Sequence, residues 1–311
     1  MGLHALVELP RVPATHEISG TAFDASTRTL YAILDKRPTI TSLVASPDFR
    51  TWRVGASLDL TGYPEDGWDG EGLVRNEDGS FYVVASEGIP FVGRFDVHGA
   101  LVEKVNMPSH YADQRSNKGL ESLALSPDAH FLFTANEEAL FRDGPRATRT
   151  RGTLVRIFRR ELAMSTDEEF AYRTEPLPDV DKGEMGVSEL AALSSEELLV
   201  LERGYRPGYG NTVRVFRVRL AGAKNVLNLP SLDDATPVLD KALVVDVGAI
   251  RCAGAKHPGP QPNPILENYE GMSLGPALED GRRLLFLTSD DNAHASQVPR
   301  ILVLAGTGLV P

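Results

Sequence analysis

The sequence predicts an all-β fold, a β-propeller of five blades, and three observations carry that prediction. One strand-turn-strand unit returns five times. Helical periodicity is almost absent. The last unit runs out one strand short, and the first residues of the chain supply an apolar segment able to complete it. Length alone, 311 residues, suggests about two domains. Internal repetition outranks that prior, so residues 1–311 are expected to form a single propeller domain.

The repeat opens with a short strand rich in small residues: Ile18–Phe23, Gly70–Val74, Leu120–Ala124, Ser188–Ala192 and Tyr269–Ser273. A turn follows each, at Ala25–Arg28, Asn76–Gly79, Pro127–His130, Ser194–Glu196 and Glu279–Gly281, where Asp-Gly and Pro-Asp steps suit tight hairpins. A stronger strand comes next: Thr29–Leu34, Phe81–Ala85, Phe131–Ala135, Leu198–Leu201 and Leu284–Thr288. An acid stands just past the end of each, at Asp35, Glu87, Glu137, Glu202 and Asp290.

Third and fourth strands read as Ile40–Ala45 with Trp52–Leu58, Val92–Val97 with Leu101–Asn106, Thr153–Arg159 with Glu169–Thr174, and Thr212–Arg219 with Ala242–Val247. After the fifth hairpin only Arg300–Leu304 remains. Leu3–Leu9 is expected to pair with it and close the ring, which removes the exposed sheet edges of an open array. The spacing between units is about 50, 50, 70 and 80 residues, the excess lying in Glu138–Gly152 and Leu220–Lys241. A sixth blade would need a divergent unit hidden in Ala221–Pro262. Glu138–Gly152, with four arginines and few apolar anchors, reads as an exposed, mobile loop.

Composition narrows the function classes. The net charge of −11 argues against nucleic acid and against anionic membrane as partners. No apolar run approaches the roughly 20 residues needed to span a bilayer. The N-terminus lacks the basic and apolar regions of a leader, which predicts a cytoplasmic protein, or a periplasmic or secreted one if a leader was removed. The single cysteine, Cys252, excludes an intramolecular disulfide and shows no nucleophile signature. GxSxG, HExxH, Walker A and EF-hand patterns are all missing.

What remains is a pattern of acids. In a hairpin, facing residues sit symmetrically about the turn. Glu71 with Glu87 centres on residue 79 and Glu121 with Glu137 on residue 129, each inside its turn. Glu189 with Glu202, Glu270 with Asp290, and Ser19 with Asp35 centre likewise. Each blade is therefore expected to set two marked residues opposite one another at the open end of its innermost hairpin, where the inner strands of a propeller line the channel. So many carboxylates together need compensation. Oxygen-only donors favour Ca²⁺, with Mg²⁺ an alternative, and make Glu71, Glu87, Glu121, Glu137, Glu189, Glu270 and Asp290 candidate ligands. Two other readings stay open: fasteners between blades, bonded to backbone N–H groups or arginines, and direct acid/base chemistry, for which Glu121, Glu189 and Glu202 are the candidates.

Loops on the same face carry Lys36, Arg37, Arg115, Lys118, Arg142, Arg146, Arg149, Arg151, Lys182, Arg203, Arg206, Arg251 and Lys256. A cation-rich rim around an acid-lined mouth suits a small anionic substrate such as a phosphate ester. Lys118 and Arg203 are placed to grip the anion, with Asn211 and Asn292 as neutral donors or ligands. The run Glu65-Asp66-Gly67-Trp68-Asp69-Gly70-Glu71 resembles loop-borne cation ligands but fits a blade-entry turn better, and His110, His257 and His294 fall in mouth loops.

The segments Gly119–Asp128, Gly186–Leu190, Leu199–Gly204, Gly210–Val213 and Ser289–Asn292, taken in order, resemble the phytase-like family, characterised by esterase-like activity of phytase. The resemblance runs from about Glu17 to Leu304. It implies a propeller and calcium-assisted phosphoesterase or esterase chemistry, in a family whose members often carry a leader. This sequence departs from the pattern in having none, and in placing Ser122 where a glycine usually follows the Glu. Three functions follow as expectations: a metal-dependent hydrolase of an anionic ester, phosphate ester favoured; a non-catalytic propeller that binds a ligand or a protein; and a lactonase-type hydrolase.

Overall fold

The computed structural model describes residues 1–64, 67–177 and 182–309, and in them twenty strands form five four-stranded antiparallel sheets. Blade I holds β2 (Ile18–Asp24), β3 (Thr29–Leu34), β4 (Arg37–Ala45) and β5 (Trp52–Asp59). Blade II holds β6 (Gly70–Arg75), β7 (Phe81–Ser86), β8 (Phe91–Asp96) and β9 (Leu101–Val105). Blade III holds β10 (Ala124–Leu125), β11 (Phe131–Ala135), β12 (Leu154–Glu161) and β13 (Thr166–Arg173). Blade IV holds β14 (Glu184–Ala192), β15 (Glu197–Arg206), β16 (Gly210–Arg219) and β17 (Lys241–Asp246). Blade V holds β18 (Tyr269–Ala277), β19 (Arg283–Ser289) and β20 (Arg300–Gly306), and its outer strand is β1 (Gly2–Glu8), paired antiparallel with β20 from Gly2↔Ala305 to Glu8↔Arg300.

The turn chemistry that marked the hairpins closes them. Asn76 Oδ1 accepts the Phe81 N–H at 2.9 Å and Asp78 Oδ1 accepts the Ser80 N–H at 2.8 Å, while Gly79 takes the left-handed conformation at φ 73°. In blade III the Ser126 hydroxyl accepts the Phe131 N–H at 2.9 Å. Both faces of each sheet are apolar because each is covered by the next blade. Five clusters fill the five gaps, such as Ile33, Leu73, Val84 and Phe95 between blades I and II, or Leu201, Val215, Leu287 and Leu302 between IV and V.

The inner strands touch in the order β2, β6, β10, β14, β18 and back to β2. Their approach is close enough to demand glycine. A Cβ on Gly20 would lie 2.2 Å from the Glu71 carbonyl oxygen, and one on Gly72 2.7 Å from the Ser122 carbonyl carbon. Backbone bonds stitch neighbouring blades at the same level, from Gly70 N–H to the Asp35 carbonyl at 2.9 Å and from Val187 N–H to the Glu137 carbonyl at 3.0 Å.

The expected five blades are present, one open alternative falls away, and one expectation needs correction. The stretch 221–262 holds no sixth blade: its described strand is β17, the outer strand of blade IV, followed by a short 3-10 turn at Val247–Ala249. Nor is 138–152 anchorless. Leu140 and Asp143 are buried, and both oxygens of Asp143 accept from the fully buried guanidinium of Arg156, at 2.6 and 2.8 Å. Arg156 also binds Glu169 at 2.8 Å and the carbonyls of Val226 and Leu229, so one cation pins the long loops of blades III and IV to the sheet. The polar composition of the loop concealed this, because its anchor is an ion pair rather than an apolar side chain. No described helix is long and apolar enough to cross a membrane.

Deleting residues 1–10 strips blade V of β1 and leaves the β20 edge unpaired. The melting temperature should fall by several degrees in a thermal scan. An unchanged value would show that β1 contributes nothing to closure.

Candidate functional site

The open ends of the five inner hairpins surround a cavity of about 540 Å³, lined among the described residues by eight acidic and three basic side chains. The facing pairs read from sequence are offset, because β2, β6, β14 and β18 each carry a β-bulge and the chain leading into β10 shifts register in the same way, between Leu120↔Asn136 and Ala124↔Phe133. Gly70 pairs with Ser86 and Gly72 with Ala85, leaving Glu71 as the extra residue, and Tyr269 and Gly271 leave Glu270 in the same way. The acids at the far strand end are set one step further out: Glu87 N–H bonds to the Asp69 carbonyl and Asp290 N–H to the Asn268 carbonyl, each at 2.9 Å. Paired acids therefore lie side by side around the mouth instead of directly opposite.

The bulge corrects blade IV by one residue. Val187 pairs with Glu202 and Glu189 with Leu201, so the extra residue is Ser188, and the position of Glu87 and Asp290 is taken by Arg203, which pairs with Gly186. Glu189 sits one step deeper, level with Gly72 and Gly271. It is wholly buried outside the cavity lining, and its Oε1 accepts the N–H groups of Leu123 at 3.0 Å and Leu190 at 2.9 Å. Glu202 faces away from the cavity, toward the Tyr172 hydroxyl, the Glu175 N–H at 2.8 Å and Lys241 Nζ at 2.6 Å. Of the three acid/base candidates, Glu121 alone borders the cavity. The candidate ligands Glu71, Glu87, Glu121, Glu137, Glu270 and Asp290 do so too, as do Lys118, Arg203, Asn211 and Asn292.

The cavity has two electrostatic halves. On the side of blades I to III, carboxylate oxygens of Glu71, Glu87 and Glu121 lie within 4.8 Å of one another, and so do those of Asp35, Asp69 and Glu71. Burial pushes the Glu71 carboxyl far up, and Glu121 and Asp35 push it further. Burial, then Glu137 and Glu87, do the same to Glu121. Glu87 rises to about 7, chiefly by burial, although its Oε2 accepts the Gly119 N–H at 2.8 Å. Asp35 reaches about 9 through burial and its neighbour Asp69, with Lys36 at 2.9 Å opposing. Across the mouth, Arg203 Nη2 stands 3.6 Å from Glu121, 3.2 Å from Glu137 and 3.4 Å from Glu270, and Lys118 bridges Glu137 and Glu184, each at 2.7 Å.

Most of the expected rim cations do not reach the cavity, which Lys36, Lys118 and Arg203 alone of that set line. Arg142 pairs with Asp113, Arg146 with Glu138 and Arg151 with Asp234, and Arg115 donates to the carbonyls of Ala139 and Gly144. His257 and His294 line the cavity; His257 is held by Glu267 at 2.6 Å, while His110 binds Glu169 elsewhere. Glu65 and Asp66 lie outside the described residues. Sequence reasoning missed Glu184, Asn268, Tyr205 and Gln261, which also border the cavity. Asn268 had a legible signal, since it precedes Tyr269 as Asp69 precedes Gly70.

The sequence profile described as "Phytase-like: Esterase-like activity of phytase" matches residues 13–293. The chain belongs to the phytase-like family. Among solved structures, this phytase-like protein is similar to a luciferin-regenerating enzyme (14% identity, TM-score 0.45, 97% of this chain and 95% of that one). It is also similar to the hydrazine synthase of Kuenenia stuttgartiensis (12%, 0.45, 93% and 83%), and to a protein of Lactobacillus plantarum (14%, 0.41, 92% and 74%). No curated protein matches the chain in sequence.

Two outcomes follow. A carboxyl whose pKa is raised on folding favours the folded state below its unfolded value near 4.5, and that contribution is lost as pH climbs through the folded value. The cation-free protein should therefore lose melting temperature between pH 5 and 9, through the values of about 7 for Glu87 and about 9 for Asp35. A flat profile in chelator would contradict this electrostatic picture. Glu189→Ala strands the N–H groups of Leu123 and Leu190 and should cost about 1–3 kcal/mol in chemical denaturation. Glu189→Gln, which keeps an acceptor oxygen, should cost less.

Proposed function

We propose that this phytase-like protein is a cation-assisted hydrolase of a small anionic ester, a phosphate ester in the first instance. One observation carries the reading: three buried carboxylates, Glu71, Glu87 and Glu121, converge within 4.8 Å beside a guanidinium and an ammonium. Like charges packed this closely are relieved either by protons or by a cation, and the all-oxygen donor set fits a hard divalent ion. Glu71, Glu87 and Glu121 would hold it, with Ca²⁺ favoured by the number and adaptability of the carboxylates and Mg²⁺ the alternative. A bound ion of this kind supplies stabilisation of the negative charge that develops on the ester oxygens.

The remaining work falls to the chain. Lys118 and Arg203 carry the positive charge able to orient an anion on the side facing blades III to V. Asn211 and Asn292 border the same space with neutral donors. Glu121 lies between the two halves, near both Arg203 and the carboxylates of Glu71 and Glu87. With a cation relieving its neighbours Glu121 would be ionised, and its oxygen not on the ion would be placed to take a proton from water directed at a bound ester.

A second reading, a propeller that binds without turnover, is favoured by one feature. Both large cations are already bonded to carboxylates, Lys118 to Glu137 and Glu184, Arg203 to Glu137 and Glu270. In that case the acids chiefly fasten blades and the mouth recognises its ligand through its amide and hydroxyl groups.

Added Ca²⁺ should raise the melting temperature, by the equivalent of about 2.7 kcal/mol at a hundredfold excess over its Kd, and chelation should reverse the shift. Glu71→Gln with Glu121→Gln should abolish the response while the circular dichroism spectrum stays that of a β-protein. Hydrolysis of p-nitrophenyl phosphate should depend on the same ion. A calcium shift without turnover of phosphate or carboxylate esters moves the protein to the binding reading, and no shift and no bound metal by elemental analysis removes the hydrolase reading.

A further inference from the structure

Most of the charges at the mouth occupy two positions that recur in every blade. The bulge position holds Ser19, Glu71, Glu121, Ser188 and Glu270 in blades I to V. The strand-end position holds Asp35, Glu87, Glu137, Arg203 and Asp290. Blade IV is the exception at the second position, where the sign of the charge is inverted. At the first it contributes a hydroxyl, and the Ser188 Oγ donates to the Tyr269 carbonyl at 3.2 Å, toward blade V.

We propose that Arg203 is a built-in counter-ion that takes the place of a second divalent cation, confining metal binding to the half of the mouth formed by Glu71, Glu87 and Glu121. The inference rests on the cation reading above and concerns what the chain itself does toward that ion.

The cluster of Glu71, Glu87 and Glu121 consists of a bulge acid, its strand-end partner and the bulge acid of the next blade. Moving one blade on, Glu121 and Glu137 repeat the first two members. Ser188 replaces the third, but Glu270 of blade V comes to the same guanidinium, so three carboxylates again meet around one centre. Here the centre is filled. Arg203 reaches all three with Nη2, at 3.2 to 3.6 Å, and its Nη1 donates to Asn268 Oδ1, whose Nδ2 in turn donates to Glu270 at 2.9 Å. A guanidinium keeps its charge at every accessible pH, so this compensation cannot be titrated away. Gly186, opposite Arg203, leaves room for Glu137, one of the three carboxylates: a Cβ there would lie 2.5 Å from Glu137 Cγ. The other cation on this side, Lys118, is shared between Glu137 and Glu184, each at 2.7 Å, and forms no ion pair with Glu121 or Glu270. Remove Arg203 and three carboxylates are left around the vacated centre, spread more widely than those of Glu71, Glu87 and Glu121, with each oxygen 3.2 to 3.6 Å from the point where the nitrogen stood.

A merely structural arginine and a counter-ion both lose stability on substitution, so the deciding measurement is cation stoichiometry. Calcium titrated calorimetrically into the wild-type chain, with elemental analysis after desalting, should give one ion at the mouth. Arg203→Gln should take up a second, and its melting temperature should depend more steeply on calcium than that of the wild type. Arg203→Lys should keep the wild-type count. Equal stoichiometry in wild type and Arg203→Gln overturns the proposal and leaves the cation reading standing. No ion in the wild type removes the cation reading and the proposal with it, whatever Arg203→Gln takes up. Should Arg203→Gln fail to fold in the absence of cation, folding restored by millimolar calcium supports the proposal. Folding restored by adding Glu270→Gln, but not by calcium, overturns it.

Discussion

Five inner strands converge on one axis in this protein, and each brings the open end of a hairpin with it. Charge that a lone hairpin would disperse into water is pooled over a single mouth. The approach is tight enough that Gly20 and Gly72 cannot carry a side chain without striking the next blade. At the adjoining bulge the chain turns Glu71, Glu121 and Glu270 toward the shared space. The architecture thus creates an electrostatic problem as a direct result of its symmetry, and the site's chemistry is how that problem is met.

It is met differently around the ring. Where Asp35, Asp69, Glu71, Glu87 and Glu121 gather, one exposed lysine, Lys36, is the compensation nearest Asp35 and Asp69, and burial drives the carboxyls of Asp35, Glu71, Glu87 and Glu121 toward their neutral forms. Where Glu121, Glu137 and Glu270 gather, Arg203 and Lys118 do the work. The two sides have unlike tasks as a consequence. One attracts positive charge, and the other presents positive charge held in place by negative neighbours. A ligand with both a cation and an anionic group would find each half prepared, which a uniformly acidic ring would not offer.

The blades were legible because their signal is local. Hairpin turns announce themselves through residues such as Asn76, Asp78 and Ser126, and apolar runs such as Leu284–Thr288 mark strands buried on both faces. The convergence of the acids was legible too, since hairpin symmetry placed them at one end. What symmetry could not reveal was the bulge, an extra residue that shifts the two arms out of step. In blade IV this made Glu189 and Glu202 look like the missing pair. The clue was in the spacing: Glu71, Glu121 and Glu270 each stand two residues before a buried apolar side chain, Leu73, Leu123 and Met272, whereas Glu189 stands one before Leu190. Counting from the core would have selected Ser188 and Arg203. The anchoring of 138–152 by Arg156 was out of reach, because Asp143, Glu169, Val226 and Leu229 meet that arginine only in three dimensions.

The pairing of β1 with β20 bears on the order in which the protein can be made. The strand that closes the ring is synthesised ahead of blades I to IV, while its partner follows them, and at roughly 5–20 residues per second the interval is on the order of 15 to 60 s. Throughout it, β1 is an apolar strand with no sheet to join, and blades I to IV can form behind it while the ring stays open. Blade V is therefore the last of the five that can be completed. Until β20 is made, the nascent chain holds a solitary β-strand ahead of blade I, a segment for which chaperone binding or pairing with a neighbouring polysome product competes with closure.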